Sequence, residues 1–164
     1  MNPLKQPRPA LPGKPTESLD VRMQSRVPGR VLGLDVGDRR IGVAVSDELG
    51  LTAQPVLTLV RKNRRHDLAS LARLVRKYGC AQVVVGHPLY MSGDVSPQAL
   101  KAQAFAQALQ LETNVELTLW DERLSTTEAH RHLDAAGRLP GSRRAVIDQV
   151  AAVLILQSFL DSRR

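Results

Sequence analysis

Two short apolar segments joined by a tight polar turn constrain the fold of this chain more than any other feature. Residues 30–36 and 40–47 are rich in Val, Leu and Ile, and Gly37 and Asp38 lie between them, which is typical of a β-hairpin. Asp35 lies inside the first segment, where an ionised carboxylate must be paired, hydrogen-bonded or bound to a cation. We therefore expect Asp35 either to pair with a nearby arginine or to form one wall of a metal site.

The rest of the sequence predicts strands and helices that alternate after this hairpin. Runs of β-branched or alternating residues indicate three more strands, at 54–59, 82–86 and 115–120. Capping residues and the helical spacing of apolar residues indicate four helices, at 63–78, 96–111, 125–136 and 145–161. A loop rich in Gly, Pro and Arg is predicted at 137–144. The order β-β-β-α-β-α-β-α-α favours an α/β fold in which helices pack on a mixed sheet.

Composition divides the chain into a tail and one domain. Residues 1–29 contain six prolines and few apolar residues, so they cannot bury enough surface to offset the entropy lost on ordering. We expect a disordered basic tail at 1–29 and a folded domain at 30–164, a length that suits a single core.

Charge and hydropathy bear on the partners of the chain. The formal net charge of +7 favours a polyanion such as nucleic acid, although many small basic proteins bind none. No segment reaches the roughly 20 apolar residues that cross a bilayer, and the Pro-rich N-terminus is unlike a secretory signal. Cys80 is the single cysteine, which fits a reducing cytosol and a small buried residue. We therefore expect a cytoplasmic protein without a membrane partner.

Four acidic residues lie where separate elements of the predicted fold could bring them together. Asp35 is in the first strand, Asp121 and Glu122 follow the fifth strand, and Asp148 lies in the first turns of an otherwise apolar helix. Stabilisation of the helix dipole alone could explain Asp148. If the acids meet, they repel one another and need a cation, and carboxylates favour Mg²⁺ or Mn²⁺. Two such ions about 4 Å apart are a known device for phosphodiester cleavage.

The histidines favour no competing metal site. His130 and His132 would point to different sides of their helix, while His66 and His87 are isolated in the sequence. We expect surface or capping roles for all four.

Together, four motifs in this order resemble the YqgF family, over about residues 30–161. They are Gly33–Ala44, Val85–Gly93, Asp121–Thr126 and Ile147–Gln157. Members of that family are provisionally described as pre-16S rRNA nucleases and were earlier described as Holliday junction resolvases. His87 and Arg144 depart from the family pattern, where a larger apolar residue and a lysine would be expected.

The resemblance implies an RNase H-like fold, a five-stranded mixed sheet of order 3-2-1-4-5 with strand 2 antiparallel. It also implies catalytic acids at Asp35, at Glu122 or Asp121, and at Asp148. We favour Glu122 over Asp121 as a catalytic residue because its longer side chain reaches farther, and keep both as candidate metal ligands. In this hypothesis Asp35 bridges two Mg²⁺ or Mn²⁺ ions, Glu122 and Asp148 each hold one, and water attacks the phosphorus.

Several arginines could follow a nucleic-acid backbone, although solvated surface charge could explain any one of them. They are Arg39, Arg40, Arg123, Arg138, Arg143 and Arg144. Arg123 could equally bind a phosphate bidentately or neutralise Asp121. Residues 86–93 are expected to form a flexible loop over the substrate.

The expected activity is processing of the 5′ end of rRNA, with RNA favoured over branched DNA and ribosomal precursor particles as potential partners. Junction resolution would use the same acids and require a dimer, so monomer and homodimer both stay open. A nucleic-acid-binding assembly factor without turnover is a further alternative. An actin-like ATPase is disfavoured because its nucleotide site needs two such subdomains.

Overall fold

Five strands form one mixed sheet with helices on both faces in the computed structural model, which describes residues 29–125 and 141–164. The strands are β1 (Arg30–Val36), β2 (Arg40–Ser46), β3 (Ala53–Val60), β4 (Cys80–His87) and β5 (Glu116–Asp121). The helices of the described residues are α1 (Arg64–Tyr78), α2 (Pro97–Thr113) and α3 (Gly141–Asp161), and Glu122–Leu124 forms a 3₁₀ turn.

The sheet order is β3-β2-β1-β4-β5, which confirms the predicted topology. β2 is antiparallel to β1 and β3, whereas β1, β4 and β5 are parallel to one another. The carboxyl ends of β1, β3, β4 and β5 therefore meet at one edge of the sheet. Residues that follow those strands gather at that edge.

Each face of the sheet packs against its own helices through an apolar layer. Alternate side chains of β1 and β4, including Leu32, Leu34, Val83 and Val85, pack with buried residues of α1 and α2. Residues of the opposite parity pack against α3, namely Val31, Ala44 and Val84 with Ala152, Ile155, Leu156 and Phe159. This period of two follows from the pleat of the strands, so Asp35 faces α3.

The predicted helix starts agree with the structure at two caps. The Asn63 side chain accepts a hydrogen bond from the His66 N–H, and Gly79 ends α1 with a φ of 61°. The Ser96 hydroxyl accepts from the Ala99 N–H at the start of α2, with proline in the first turn.

The prediction of a loop through residue 144 is wrong, because α3 begins at Gly141. Its first turn includes Arg143 and Arg144, which are exposed. This turn lacks the apolar side chains by which the helix was recognised, so the pattern placed its start four residues late. The tail at 1–28, the predicted helix from residue 126 and the rest of the loop up to Pro140 lie outside the described residues.

Two smaller expectations can be compared with the described part of the chain. Cys80 is buried, and burial raises the pKa of its thiol to about 11. No helix among the described residues is long and apolar enough to cross a bilayer.

Candidate active site

Asp35 lies next to a glycine on each neighbouring strand. It pairs with Gly42 of β2 in the antiparallel register. On β4, Gly86 follows Val85, which pairs with Leu34. Asp35 therefore has no Cβ beside it on either flank, on the face that α3 covers.

Each of these glycines leaves space that an acid-bearing residue fills. A Cβ at Gly42 would overlap the main-chain carbonyl oxygen of Asp148. A Cβ at Gly86 would overlap the Oε1 atom of Glu122. The first turns of α3 and the Glu122 carboxylate thus lie directly over the strands that flank Asp35.

The environment of these acids disfavours their ionised forms. Burial and, to a smaller extent, the charge of Asp148 raise the pKa of Asp35 to about 6. Burial raises the pKa of Glu122 to about 8, with the charges of Asp35 and Asp121 acting in the same direction. Asp35 therefore interacts electrostatically with Asp148 of α3 and with Glu122, which follows β5.

Asp148 is bound to an arginine. The Nε atom of Arg40 donates to Oδ2 of Asp148 at 2.6 Å, and these side chains are only 28% and 23% exposed. Among the described residues, no three acidic, histidine or cysteine side chains are grouped so that they could enclose a metal ion. The acids are neighbours, and one of them already has a cationic partner.

Asp121 differs from Glu122 in its partners. Arg123 donates from Nε to both Asp121 carboxylate oxygens, from Nη2 to Oδ2 at 2.6 Å, and from its backbone N–H to Oδ1. The hydrogen bond from the Arg123 side chain holds the pKa of Asp121 below its usual value. In the structure, Asp121 therefore pairs with Arg123, whereas Glu122 lies beside Asp35.

The other predicted phosphate-binding residues of the described part of the chain lie on three elements. Arg39 is exposed at the turn between β1 and β2, and Arg143 and Arg144 are exposed in the first turn of α3. Arg138 lies outside the described residues. Arg123 also donates from Nη1 to the Met91 carbonyl at 3.3 Å, which links it to the loop after β4.

The loop after β4 folds back through a hydrogen-bonded turn. The Tyr90 N–H donates to the Asp94 carbonyl, and the Gly93 N–H donates to the Tyr90 carbonyl. Tyr90 and Met91 are exposed on this turn. The sequence located the loop but not the turn.

A buried ion pair beneath the β1–β2 turn was missed by the sequence prediction. Arg61 donates from Nε to Asp67 at 3.1 Å and from Nη1 to the Gly37 carbonyl at 2.8 Å. Asp67 is 1% exposed and also accepts from the Lys62 N–H. Burial raises the pKa of Asp67, but the hydrogen bonds from Lys62 and Arg61 outweigh it, and the net pKa is lowered. This network fixes the turn that follows Asp35.

The histidines differ in their surroundings. The backbone N–H of His66 takes part in the cap of α1, and its Nδ1 atom lies 3.5 Å from Asp67. His87 ends β4 opposite Asp121, and its buried Nε2 atom has no hydrogen-bond partner among the described residues. His130 and His132 lie outside those residues.

Comparison with known proteins gives a consistent family match. The sequence profile of the RuvX family, described as Holliday junction resolvase, matches residues 29–162. Two relatives provisionally named pre-16S rRNA nucleases come from Moorella thermoacetica and Syntrophus aciditrophicus. The first is 51% identical over 132 residues, covering 80% of this chain and 94% of the relative. The second is 47% identical over 133 residues, covering 81% and 89%.

Solved structures share the fold at low sequence identity. Thermus thermophilus RuvC in complex with a Holliday junction substrate aligns with a TM-score of 0.56 at 15% identity, over 82% of this chain and 94% of that one. The fowlpox virus resolvase in complex with Holliday junction DNA aligns with a TM-score of 0.51 at 12% identity, over 82% and 98%. These matches confirm the RNase H-like fold.

Proposed function

The chain belongs to the RuvX family, the same family that its motifs resembled under the name YqgF. We propose that it is a nuclease acting on precursor 16S rRNA. The observation that carries the proposal is the arrangement around Asp35. Two flanking glycines let Glu122 and the backbone of Asp148 lie over the strands on either side of it. Carboxyl groups whose pKa values are raised by burial and by neighbouring carboxylates are typical of sites with a chemical role.

The oxygen donors of these acids suit a divalent cation, and enclosing one would require the Asp148 carboxylate to move from Arg40. Glu122 and Asp35 are half-buried, the charge of Asp35 acts on Glu122, and among residues 29–125 and 141–164 neither forms an ion pair. Their ligand atoms are oxygens, which suits Mg²⁺ or Mn²⁺. Asp35, Glu122 and Asp148 would hold the ions, with Asp148 leaving Arg40 to do so. Bound ions would supply an activated water and offset charge on the leaving oxygen.

The residues of the chain itself would position the substrate around these acids. Asp35 is held by the sheet, and Arg61 fixes the turn that follows it through the Gly37 carbonyl. Once released from Asp148, the Arg40 guanidinium would be free to donate two parallel hydrogen bonds to a phosphate beside the cut. Arg39, which is exposed on the same turn, would contact the next phosphate along the strand.

The choice of RNA as substrate is supported by the relatives, which are provisionally named for pre-16S rRNA cleavage at about half identity over most of both chains. The proposed setting is the cytoplasm, where the substrate would be met within ribosomal precursor particles.

Cleavage of a four-way DNA junction is the second candidate, because the matching family profile is described as Holliday junction resolvase. Paired cuts in two strands would require two copies of the chain. An assembly factor without turnover would bind RNA with the same affinity whether or not Asp35 is present.

The decisive experiment compares two substrates and two variants. Wild type, Asp35→Asn and Asp38→Asn are incubated with a 5′-extended 16S rRNA fragment and with a four-way DNA junction, each in Mg²⁺ and in Mn²⁺. Asp38 is the matched control, since it lies three residues away, is exposed and pairs with Lys101 instead.

Cleavage of the RNA that survives Asp38→Asn and is lost in Asp35→Asn supports the proposal. Preferential cutting of the junction would replace it with the resolvase function. Wild-type turnover by the folded Asp35→Asn protein would refute the catalytic assignment. RNA binding without any cleavage by wild type would favour the assembly factor.

A further inference from the structure

The positive charge of this chain is concentrated in one segment. Residues 61–77 contain seven of the 23 lysines and arginines but only one of the 16 acidic residues, Asp67. The rest of the chain is nearly balanced. Because Asp67 is 1% exposed and bound to Arg61, it does not reduce the positive charge that the segment presents to solvent.

Six of these cations are exposed on α1 or directly before it. They are Lys62, Arg64, Arg65, Arg73, Arg76 and Lys77, which we call the α1 basic track. Within the part of the chain that the structure describes, none of the six forms an ion pair with a carboxylate. Three other exposed cations of the described residues, Lys101, Arg123 and Arg164, do form one.

The track starts at the sheet edge where the candidate active site lies. Val60, the last residue of β3, pairs with Arg40, and the Arg61 N–H donates to the Arg39 carbonyl. α1 then runs for 15 residues, about 22 Å at the usual helical rise, to the opposite edge, where Cys80 pairs with Arg30. Its charges therefore lead away from the acids.

Helical spacing aligns part of the track into a stripe. Arg65, Arg73 and Arg76 lie on one side of α1 together with the small Ala69. Arg64 and Arg65 border a groove together with Leu68, Ala69 and Glu112. Among the described residues, Glu112 is the acidic side chain that lines this groove. Next to it, Arg61 and Lys101 line a second depression with Phe105, over whose ring the Arg61 guanidinium lies at 5.1 Å.

We propose that the α1 basic track binds the phosphate backbone of the RNA strand outside the cut site. The inference rests on the proposed function, because that function supplies the strand that passes the sheet edge. Four of the six cations are arginines, whose planar guanidinium suits phosphate better than the lysine ammonium does. The track lies on the face that α1 and α2 cover, whereas the acids lie on the α3 face, so the strand would wrap around the edge of the sheet.

The dependence of RNA affinity on RNA length and on salt concentration can distinguish binding by the α1 basic track from binding at the active site. Each phosphate contact on a single strand contributes about 0.7 to the slope of log affinity against log salt. An RNA too short to pass the edge would not touch α1, whereas a longer RNA would gain affinity and salt dependence from it.

The test compares two variants of equal net charge in the full chain. The first is Arg65→Gln, Arg73→Gln, Arg76→Gln. The control is Thr52→Glu, Gln54→Glu, Arg164→Gln, three exposed positions at the far sheet edge and the end of α3. Fluorescence anisotropy with Ca²⁺ measures binding of a short RNA of about 6 nucleotides and a long one of about 30, at several salt concentrations.

The track variant should bind the long RNA about tenfold more weakly at low salt, with a slope reduced by about 2, while short-RNA binding and cleavage stay at the control level. Equal slopes for the two variants on the long RNA would overturn the inference. So would an equal loss on both RNAs, which would place these arginines at the cut site. If wild type neither binds nor cleaves RNA, the proposed function itself fails; if it does both and only the slopes agree, the track alone fails.

Discussion

The guanidinium of Arg40 and the carboxylate of Asp148 are joined by a 2.6 Å hydrogen bond across 108 residues of sequence. The bond links the start of β2 to the first turns of α3. It also places a positive charge at a carboxylate that we propose as a metal ligand. Arg40 and a divalent ion would therefore compete for Asp148.

Replacing Arg40 by glutamine should strengthen metal binding and weaken substrate binding. Loss of the guanidinium frees Asp148 and removes a charge that repels the cation. Because the pair is partly exposed and solvent weakens its electrostatics, we expect the Mn²⁺ dissociation constant to fall by only roughly threefold to tenfold. Titration calorimetry with Mn²⁺ measures this. Arg39→Gln is the matched control, since it removes the same charge from the exposed neighbour; equal affinities in both variants would contradict competition.

Neutralising either Asp35 or Glu122, which are half-buried, should stabilise the metal-free protein. The pKa of Asp35 is raised to about 6 and that of Glu122 to about 8, so the folded state binds protons more tightly than the unfolded state. Stability is then lost as the pH rises from about 4 through these values. Asp35→Asn and Glu122→Gln should each gain on the order of 1–3 kcal/mol at pH 8 in EDTA.

Urea unfolding at pH 5 and pH 8 measures this gain, which should be smaller at pH 5. Asp38→Asn should show no gain, because the Lys101 hydrogen bond lowers the pKa of that exposed carboxyl. If Asp35→Asn and Glu122→Gln unfold at the wild-type urea concentration at pH 8, the ionised forms of the two acids do not destabilise the fold.

The opposite pH dependence is expected for Asp67. Its lowered pKa means that its ionised form stabilises the fold above the unfolded pKa of about 3.9, and that this contribution is lost as the pH falls through the lower folded value. Asp67→Asn leaves Arg61 without its buried partner and should cost about 3 kcal/mol at pH 7. The difference from wild type should shrink below pH 4 in urea unfolding; a constant difference would mean that lost packing, not charge, is responsible.

The local features of the fold could be predicted because short segments determine them. The Asn63 and Ser96 caps, the end of α1 at Gly79 and the apolar run of β1 are properties of neighbouring residues, and the structure shows them at the expected places. The strand order followed from the family resemblance and agrees with the element order.

Contacts between distant segments were beyond the sequence. The Arg40–Asp148 and Arg61–Gly37 bonds each join residues whose proximity depends on the register of the sheet and the placement of α3. A signal for the site was nonetheless present in Gly42 and Gly86. Glycine weakens a strand interior, so two glycines at the positions beside a strand aspartate indicate that other groups approach closely there.

Alanine at these two glycines should separate stability from metal binding. At Gly42 the added methyl meets the backbone of α3, so the helix must shift and we expect a loss of about 3 kcal/mol or more in urea unfolding. At Gly86 it meets the far end of the Glu122 side chain and the Ile155 Cδ1 atom, which can move at a cost of about 1 kcal/mol.

Gly86→Ala should therefore remain folded but lose Mn²⁺ affinity, because the carboxylate no longer lies over β4 beside Asp35. Adding Glu122→Asp shortens the acid and removes its overlap with the methyl, leaving only the Ile155 contact. Gly86→Ala should therefore cost less stability in the Glu122→Asp background than in wild type. Wild-type Mn²⁺ affinity in Gly86→Ala would show that Glu122 binds the ion from another position, and strict additivity of the two stability changes would show that they do not share this space.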